Sequence, residues 1–221
     1  MVLFKINGER NSGTNFLHQI LSKNNFPTYS QKTRQNIVYH WKHSVPSVDY
    51  KKLDEKVVDL FIFRNLEDWL ISFSKNHYHQ KRHNNFKDFL TLQQISNETK
   101  YIDYRTNKFL NEDDNGKTIF EIREYKFNKI MEYKKNNKDV ILVNLSFIQN
   151  EKNLSQFLDF LSEKYMKTLK VDNYICNINH TKNNTNNKNR TYNIDINKYK
   201  DIVDFNKNEE IENFINSLTF I

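Results

Sequence analysis

The chain has 221 residues, of which 37% are hydrophobic, and this length suits a single domain spanning 1–221 with a real core. No apolar run approaches the roughly 20 residues that cross a bilayer, and the N-terminus lacks the apolar centre of a signal peptide. The single cysteine, Cys176, excludes an internal disulfide, so we expect a soluble, intracellular (cytoplasmic) protein. The formal charge of +7 indicates an anionic partner without identifying it.

The predicted elements alternate along the chain. Runs of β-branched and aromatic residues predict four strands, over 2–6, 36–41, 57–63 and 139–145. Apolar residues spaced by three and four predict helices after the first, third and fourth strands. Strands separated by helices predict an α/β fold with three layers, in which a central parallel sheet is flanked by helices.

Three further segments complete the predicted domain. Residues 76–137 are mostly polar and helical in pattern, and we interpret them as a helical insert beside the sheet. Residues 177–190 are low in complexity, which predicts a mobile loop. The run "EEIENFINSL" predicts a closing helix.

The stretch "GERNSGTNF" links the first predicted strand to the first predicted helix. Gly8 and Gly13 permit turn geometry that other residues avoid, and Ser12, Thr14 and Asn15 add short side-chain donors. Backbone N–H groups and the positive end of the helix dipole favour an anion at such a turn. The alternative is a tight strand–helix turn that binds no ligand.

The same stretch lacks what a nucleoside-triphosphate enzyme requires. Such an enzyme has Lys and Ser or Thr after the second glycine, whereas this chain has "GTN". No predicted strand ends in an Asp placed to bind magnesium, because the third strand runs into Arg64 and the fourth into Asn144. The loop is therefore predicted to hold a phosphate that reacts without a metal.

At this point the chain resembles the sulfotransferases that use 3′-phosphoadenosine 5′-phosphosulfate (PAPS). "ERNSGTNFL" is similar to their 5′-phosphosulfate loop, whose usual form is Pro-Lys-Ser-Gly-Thr followed by an apolar helix. The resemblance implies a P-loop-type fold, PAPS as sulfuryl donor and no metal. It assigns donor binding to the loop residues Arg10, Asn11, Ser12, Gly13, Thr14 and Asn15.

A second segment, "LFIFRNLEDWLISF", resembles the family's 3′-phosphate element. That element is a strand ending in Arg, followed by a helix with a Ser eight residues later, and Arg64 and Ser72 have this spacing. Arg64 also follows a predicted strand, at the edge where α/β sheets bind ligands. The alternative is an Arg paired with Glu67 or Asp68 and a merely exposed Ser.

A third segment, "VYHWKHSVP", resembles the family's stretch in which a Lys and a His precede a Pro and the His is the general base. Lys42 and His43 fit this pattern best, and His40 is the competing histidine. A histidine suits removal of the acceptor's proton, and a lysine suits charge stabilisation on the leaving phosphate.

The chain departs from the family pattern in two places. The family's loop lysine is replaced by Asn11, with Arg10 one position earlier, so either Arg10 or Lys42 takes over the stabilisation of the leaving group. Near the C-terminus "NKNRTY" lacks the glycine of the family's closing loop, but its Arg190 is assigned to the 3′-phosphate.

The sequence thus predicts in-line sulfuryl transfer from PAPS to a hydroxyl or amine on a small-molecule or carbohydrate acceptor, leaving 3′,5′-adenosine bisphosphate. Two alternatives stay open: a nucleotide or nucleoside kinase, and a non-catalytic binder of nucleotide or nucleic acid. The missing loop lysine counts against the kinase. The mixing of acidic with basic residues counts against nucleic acid as a partner.

Overall fold

A computed structural model of the protein describes residues 2–29, 32–39, 41–46, 56–76, 80–104, 106–166, 174–176, 195–201 and 203–221. The strands are β1 (Val2–Gly8), β2 (Lys32–Arg34), β3 (Ile37–Tyr39), β4 (Lys56–Phe63), β5 (Ile102–Asp103), β6 (Lys108–Phe109) and β7 (Val140–Asn144). The α-helices are α1 (Thr14–Lys23), α2 (Leu66–Lys75), α3 (Phe86–Thr91), α4 (Ile119–Lys135), α5 (Leu145–Ile148), α6 (Glu151–Leu161) and α7 (Glu209–Ser217). Shorter helical turns cover Glu112–Asp114, Ser162–Met166, Ile196–Tyr199 and Phe205–Asn208.

The central sheet is parallel and has the strand order β1-β4-β7. Gly8 at the end of β1 pairs with Ile62, and Asn144 at the end of β7 pairs with Phe63. The three carboxyl ends therefore share one edge of the sheet. β4 lies in the middle with both faces covered, which explains its nearly continuous apolar sequence.

Helices cover both faces of this sheet. On one face α1, α5 and α6 pack against side chains such as Phe4, Leu60 and Val143. On the other face α4 and α7 pack against Phe61 and Leu142. The predicted α/β architecture, a parallel sheet between helical layers, is confirmed. None of the helices in the described part of the chain combines the length and apolarity that a membrane crossing requires.

The predicted strand at 36–41 differs from the prediction in extent and in partners. It forms β3, which pairs with β2 antiparallel and with β5 parallel in a separate sheet of order β2-β3-β5-β6. Gln35 and Asn36 both have positive φ, so the chain reverses tightly between β2 and β3. This local hairpin takes the segment away from the central sheet.

The predicted insert at 76–137 contains its two clearest helical pieces as α3 and α4. It also contains β5, β6 and the turn at Glu112–Asp114, so it is mixed rather than purely helical. α4 begins at a capping box, in which Thr118 and Glu121 satisfy each other's backbone amides. The predicted mobile loop at 177–190 lies outside the described residues.

Candidate functional site

The loop between β1 and α1 is shaped by its two glycines. A Cβ on Gly8 would lie 2.5 Å from Oγ of Ser12 and 2.6 Å from the carbonyl oxygen of Ile62. Gly13 has a φ of 104°, and a Cβ there would lie 2.8 Å from Leu145. The Ser12 hydroxyl donates to the Glu9 carbonyl at 2.7 Å and closes the turn. Glycine is therefore required at both positions, and the loop backbone is held close to the sheet edge.

The loop delivers the chain into the N-terminus of α1. Gly13 is the N-cap, and within the described residues no side chain caps this end and no acidic residue lies in the first turn. The first amides of a helix have no intrahelical acceptor and carry the positive end of the dipole. The N-terminus of α1 lies at the carboxyl edge of the sheet, and its first amides are therefore suited to bind an anion there.

Lys42 and His43 lie directly against this loop. The Gly8 amide donates to the Lys42 carbonyl at 3.0 Å, and Lys42 Nζ donates to Oδ1 of Asn15 at 2.6 Å. Burial lowers the pKa of Lys42, and the Arg10 charge lowers it further. Lys42 places its ammonium group beside the first turn of α1.

His43 is held by the loop backbone in one tautomer. Its Nδ1 lies 2.8 Å from the Gly8 carbonyl oxygen, and because a carbonyl only accepts, Nδ1 carries the hydrogen. Nε2 of the neutral ring then carries the free lone pair. Burial lowers the pKa of His43 well below 6.5, and the charges of Arg10 and Lys42 lower it further. The ring is therefore neutral at pH 7 and suited to accept a proton.

Arg10 faces the insert instead of the start of α1. Its guanidinium lies 4.8 Å from the Trp41 ring, and its Nε donates to Oδ1 of Asn111 at 3.2 Å. The side chain is 4% exposed, and burial lowers its pKa to about 10, which leaves it charged at pH 7. Of the two cations predicted for the leaving group, Lys42 is the one bonded to α1.

Arg64 contacts the loop from the end of β4. Its Nη1 donates to the Asn11 carbonyl at 3.3 Å, while its buried Nε has no acceptor among the described residues. Among the same residues Arg64 makes no ion pair with Glu67 or Asp68. The alternative that the sequence left open, an arginine paired with one of these two acids, is therefore not seen. The Arg64 guanidinium therefore still has an N–H group, beside the loop, that can donate a further hydrogen bond.

Asn11 contacts the end of α2, the helix that contains Ser72. Asn11, with a φ of 60°, donates from Nδ2 to the carbonyl of Asn76, the residue that follows the last residue of α2, at 3.2 Å. Ser72 is partly buried within α2 and precedes this contact by one turn. The predicted residues Arg190 and His40 lie outside the described residues.

A buried ion network behind the loop was missed by the sequence analysis. Arg123 of α4 donates to Glu9, to Glu212 of α7 and to the Arg64 carbonyl, at 2.6, 2.6 and 2.7 Å. Arg123 falls on the buried stripe of α4 that also contains Ile119 and Ile122, and a charged residue on an apolar stripe was the available signal.

A cavity lies beside His43, between the segment 41–45 and the insert. Its walls include Trp41, His43, Asn111, Asp114, Tyr125 and Lys126. Asp114 accepts from Lys126 at 3.0 Å, so this acid is paired. Nη2 of Arg10 and Nδ2 of Asn111 are buried donors without an acceptor among the described residues. Gln80, whose Nε2 donates to Asp114, likewise has a buried Oε1 without a donor among the described residues.

In the described part of the chain, no three His, Cys, Asp or Glu side chains are grouped so that they could hold a metal ion. Comparisons with protein-family models, with curated proteins and with solved structures return no match for this chain.

Proposed function

We propose that this protein is a P-loop-type sulfotransferase that uses PAPS as its sulfuryl donor and a hydroxyl or amine as its acceptor. One observation carries the proposal: two segments that lie far from the loop in the sequence, Lys42–His43 and Arg64, both bond to the residues between Gly8 and Asn15. Lys42 bonds Asn15, His43 bonds Gly8, and Arg64 bonds Asn11. The loop and these two segments resemble the donor-binding and catalytic elements of the family.

The residues present fit such a donor. Gly8 and Gly13 let the loop pack tightly against β4 and α5, because a Cβ at either position would meet Ser12, Ile62 or Leu145. The uncapped N-terminus of α1 that follows the loop suits an anion. Arg64 offers a charged donor for a second phosphate, since its Nε has no acceptor among the described residues, and the resemblance adds Ser72 and Arg190. PAPS carries one phosphate at the 3′ position of its ribose and one at the 5′ position, and the 5′-phosphate bears the activated sulfuryl group.

His43 serves as general base in the proposed reaction. Nε2 takes the proton from the attacking hydroxyl or amine as the bond to sulfur forms, and the sulfur–oxygen bond to the 5′-phosphate breaks. The electron pair of that bond passes to the phosphate oxygen. Lys42 and the α1 amides stabilise the resulting charge, because they lie at the same end of the helix.

The acceptor hydroxyl or amine would lie at the cavity beside His43, whose volume of about 20 Å³ accommodates one small group. Asn111, on the cavity wall, has an amide nitrogen without an acceptor among the described residues, and this nitrogen suits an oxygen atom of the acceptor. Arg10 does not line the cavity but donates to Asn111. Arg10 therefore takes an acceptor-side role in this proposal, and Lys42 takes the leaving-group role.

The experiment that tests the proposal is a thermal-shift comparison of 3′,5′-adenosine bisphosphate, AMP and ATP with magnesium. We expect the bisphosphate to raise the melting temperature most, because it alone engages both the loop and Arg64. Stabilisation by the bisphosphate no greater than by AMP would overturn the proposal. The strongest shift from ATP with magnesium, together with an activity abolished by EDTA, would select the kinase instead.

A further inference from the structure

Arg123 makes contacts that go beyond packing. It lies in the second turn of α4 and is 1% exposed, with its guanidinium 4.8 Å from the Trp69 ring. Each of its three nitrogens donates a short hydrogen bond, and the acceptors belong to three separate parts of the chain. A guanidinium is planar and rigid, so it fixes the relative positions of the groups it bonds.

One side of this network holds the loop after β1. Nη1 of Arg123 donates to Oε2 of Glu9 at 2.6 Å, and Glu9 directly follows Gly8. Trp69, which packs against the guanidinium, donates from its ring nitrogen to the Arg10 carbonyl at 2.7 Å. Two consecutive loop residues, Glu9 and Arg10, are thus bonded to Arg123 and to the ring that packs on it.

The other side holds the segment after β4. Nη2 of Arg123 donates to the Arg64 carbonyl, and Nε donates to Oε1 of Glu212. Oε2 of the same carboxylate accepts from the Leu66 amide at 2.9 Å. Glu212 therefore connects α7 to the first residue of α2 through one carboxylate. These three hydrogen bonds form one arm of the network, and they fix the backbone on both sides of Asn65.

Stability alone does not account for such a network. Burying two carboxylates and a guanidinium costs desolvation energy, and apolar packing of similar volume is often as stable. Burial raises the pKa of Glu9 in spite of the nearby Arg123 and Lys126, and Oε1 of Glu9 has no partner among the described residues. Among the described residues, only one of the two carboxylate oxygens of Glu9 therefore accepts a hydrogen bond. What the network does supply is a fixed distance between two segments.

We propose that Arg123 is a positioning residue that sets the spacing between the 5′-phosphate loop and the 3′-phosphate segment. It touches neither phosphate. It acts on the loop through Glu9, and on the Arg64 segment through its own bond to the Arg64 carbonyl and through Glu212. This inference rests on the proposed function, because that function assigns one phosphate of the donor to each segment.

The two arms can be tested separately by calorimetry with 3′,5′-adenosine bisphosphate and AMP. Glu212→Gln leaves one oxygen where two acceptors are needed, so either Leu66 or Arg123 loses its partner. The lost bond is one to a carboxylate, and its loss loosens the Arg64 segment without removing a phosphate contact. We therefore expect bisphosphate affinity to fall by about 3- to 10-fold, with AMP affinity unchanged. The control is Glu210→Gln, an exposed position of the same helix, which should change neither affinity.

Arg123→Lys tests the centre of the network. Lysine keeps the buried charge, but a single nitrogen cannot reach Glu9, Glu212 and the Arg64 carbonyl together. We expect affinity for both nucleotides to fall, because the loop binds the phosphate that they share. If Arg123→Lys lowered the melting temperature but left both affinities unchanged, Arg123 would be structural and the inference wrong. Unchanged binding in Glu212→Gln would overturn the inference even if the lysine variant failed to fold.

Failure of the proposed function is distinguishable from failure of this inference. A wild-type protein that bound the bisphosphate no better than AMP would refute the function alone. Peptide-level hydrogen exchange of the free protein would then still test the coupling. Arg123→Lys should speed exchange in both 8–15 and 64–68, and acceleration in neither segment would show that Arg123 does not position them.

Discussion

Nδ1 of His43 donates to the carbonyl oxygen of Gly8 across 2.8 Å, so the imidazole is bound to the loop that begins the candidate anion site. This contact joins residues 35 positions apart in the chain. It fixes the tautomer, because only the form with hydrogen on Nδ1 can donate to a carbonyl. Nε2 is therefore the basic nitrogen, and its position relative to the loop is set by the backbone.

The first prediction concerns His43→Asn. The asparagine amide can still donate to Gly8, but it provides no basic nitrogen in place of Nε2. We expect turnover to fall by about 10²- to 10⁴-fold, the contribution of a general base, while bisphosphate affinity stays unchanged. Steady-state rates and calorimetry measure the two quantities.

The matched control is His18→Asn. His18 is an exposed histidine of α1, and its replacement should leave turnover unchanged. Near-normal turnover in His43→Asn would remove the assignment of this residue as the base. An inactive but folded His40→Ala protein with active His43→Asn would transfer the role to His40.

The second prediction concerns the pH dependence of stability. Burial, Arg10 and Lys42 depress the pKa of His43 in the folded protein well below the ordinary 6.5. The unfolded chain therefore binds more protons at this residue, and stability falls as the pH drops from 6.5 toward the folded pKa. Because His43→Asn cannot take up that proton, its melting temperature should fall less than that of the wild type over this range.

The comparison is made by thermal unfolding from pH 7.5 to pH 5. Subtracting the variant's curve from that of the wild type removes the titration of the carboxylates, which both proteins share. Parallel curves for the two proteins would show that His43 is not held neutral by its surroundings.

The third prediction separates Lys42 from Arg10. Lys42 bonds Asn15 at the start of α1, so Lys42→Met removes a positive charge where the 5′-phosphate would depart. We expect turnover to fall by about 10²- to 10³-fold, in the range found when one electrostatic donor is removed. The control, Lys23→Met, alters an exposed lysine at the other end of the same helix and should have little effect.

Arg10→Met should act differently from Lys42→Met. The guanidinium of Arg10 faces Trp41 and Asn111, so its loss should raise the KM for the acceptor and leave bisphosphate affinity unchanged. If Arg10→Met instead lowered turnover at saturating acceptor while Lys42→Met did not, Arg10 would be the group that stabilises the leaving phosphate.

Much of the fold follows from local patterns in the sequence. β1, α1, β4, α2 and α6 were predicted, because their apolar residues recur at the period of one buried face and because Gly8 and Gly13 mark the turn between two of them. β5 and β6 have two residues each, too few to show a period. The pairing of β3 depends on the turn at Gln35 and Asn36, whose positive φ values no hydrophobic pattern signals.

The candidate site was predictable only in part. The loop and the two segments that contact it were expected from their resemblance to one family, and the contacts of Lys42, His43 and Arg64 agree with a shared location. The direction of Arg10 was not predictable, since it depends on Trp41 and on Asn111 in the insert. Arg123 was missed because its partners, Glu9 and Glu212, are 114 and 89 residues away.

The last prediction concerns selectivity for the 3′-phosphate. Arg64 follows β4, bonds the Asn11 carbonyl and keeps a buried Nε without an acceptor in the described residues, so it is the cation best placed for a second phosphate. A charge-assisted hydrogen bond is worth roughly 1.5–3 kcal/mol, so Arg64→Ala should weaken bisphosphate binding by about 10- to 100-fold. AMP binding should barely change, because AMP has no 3′-phosphate.

Arg82→Ala, at an exposed arginine of the insert, is the control for a general loss of positive charge. Calorimetry with both ligands on all three proteins decides the matter: equal weakening of both ligands in Arg64→Ala would mean that this residue supports the loop and does not read the 3′-phosphate.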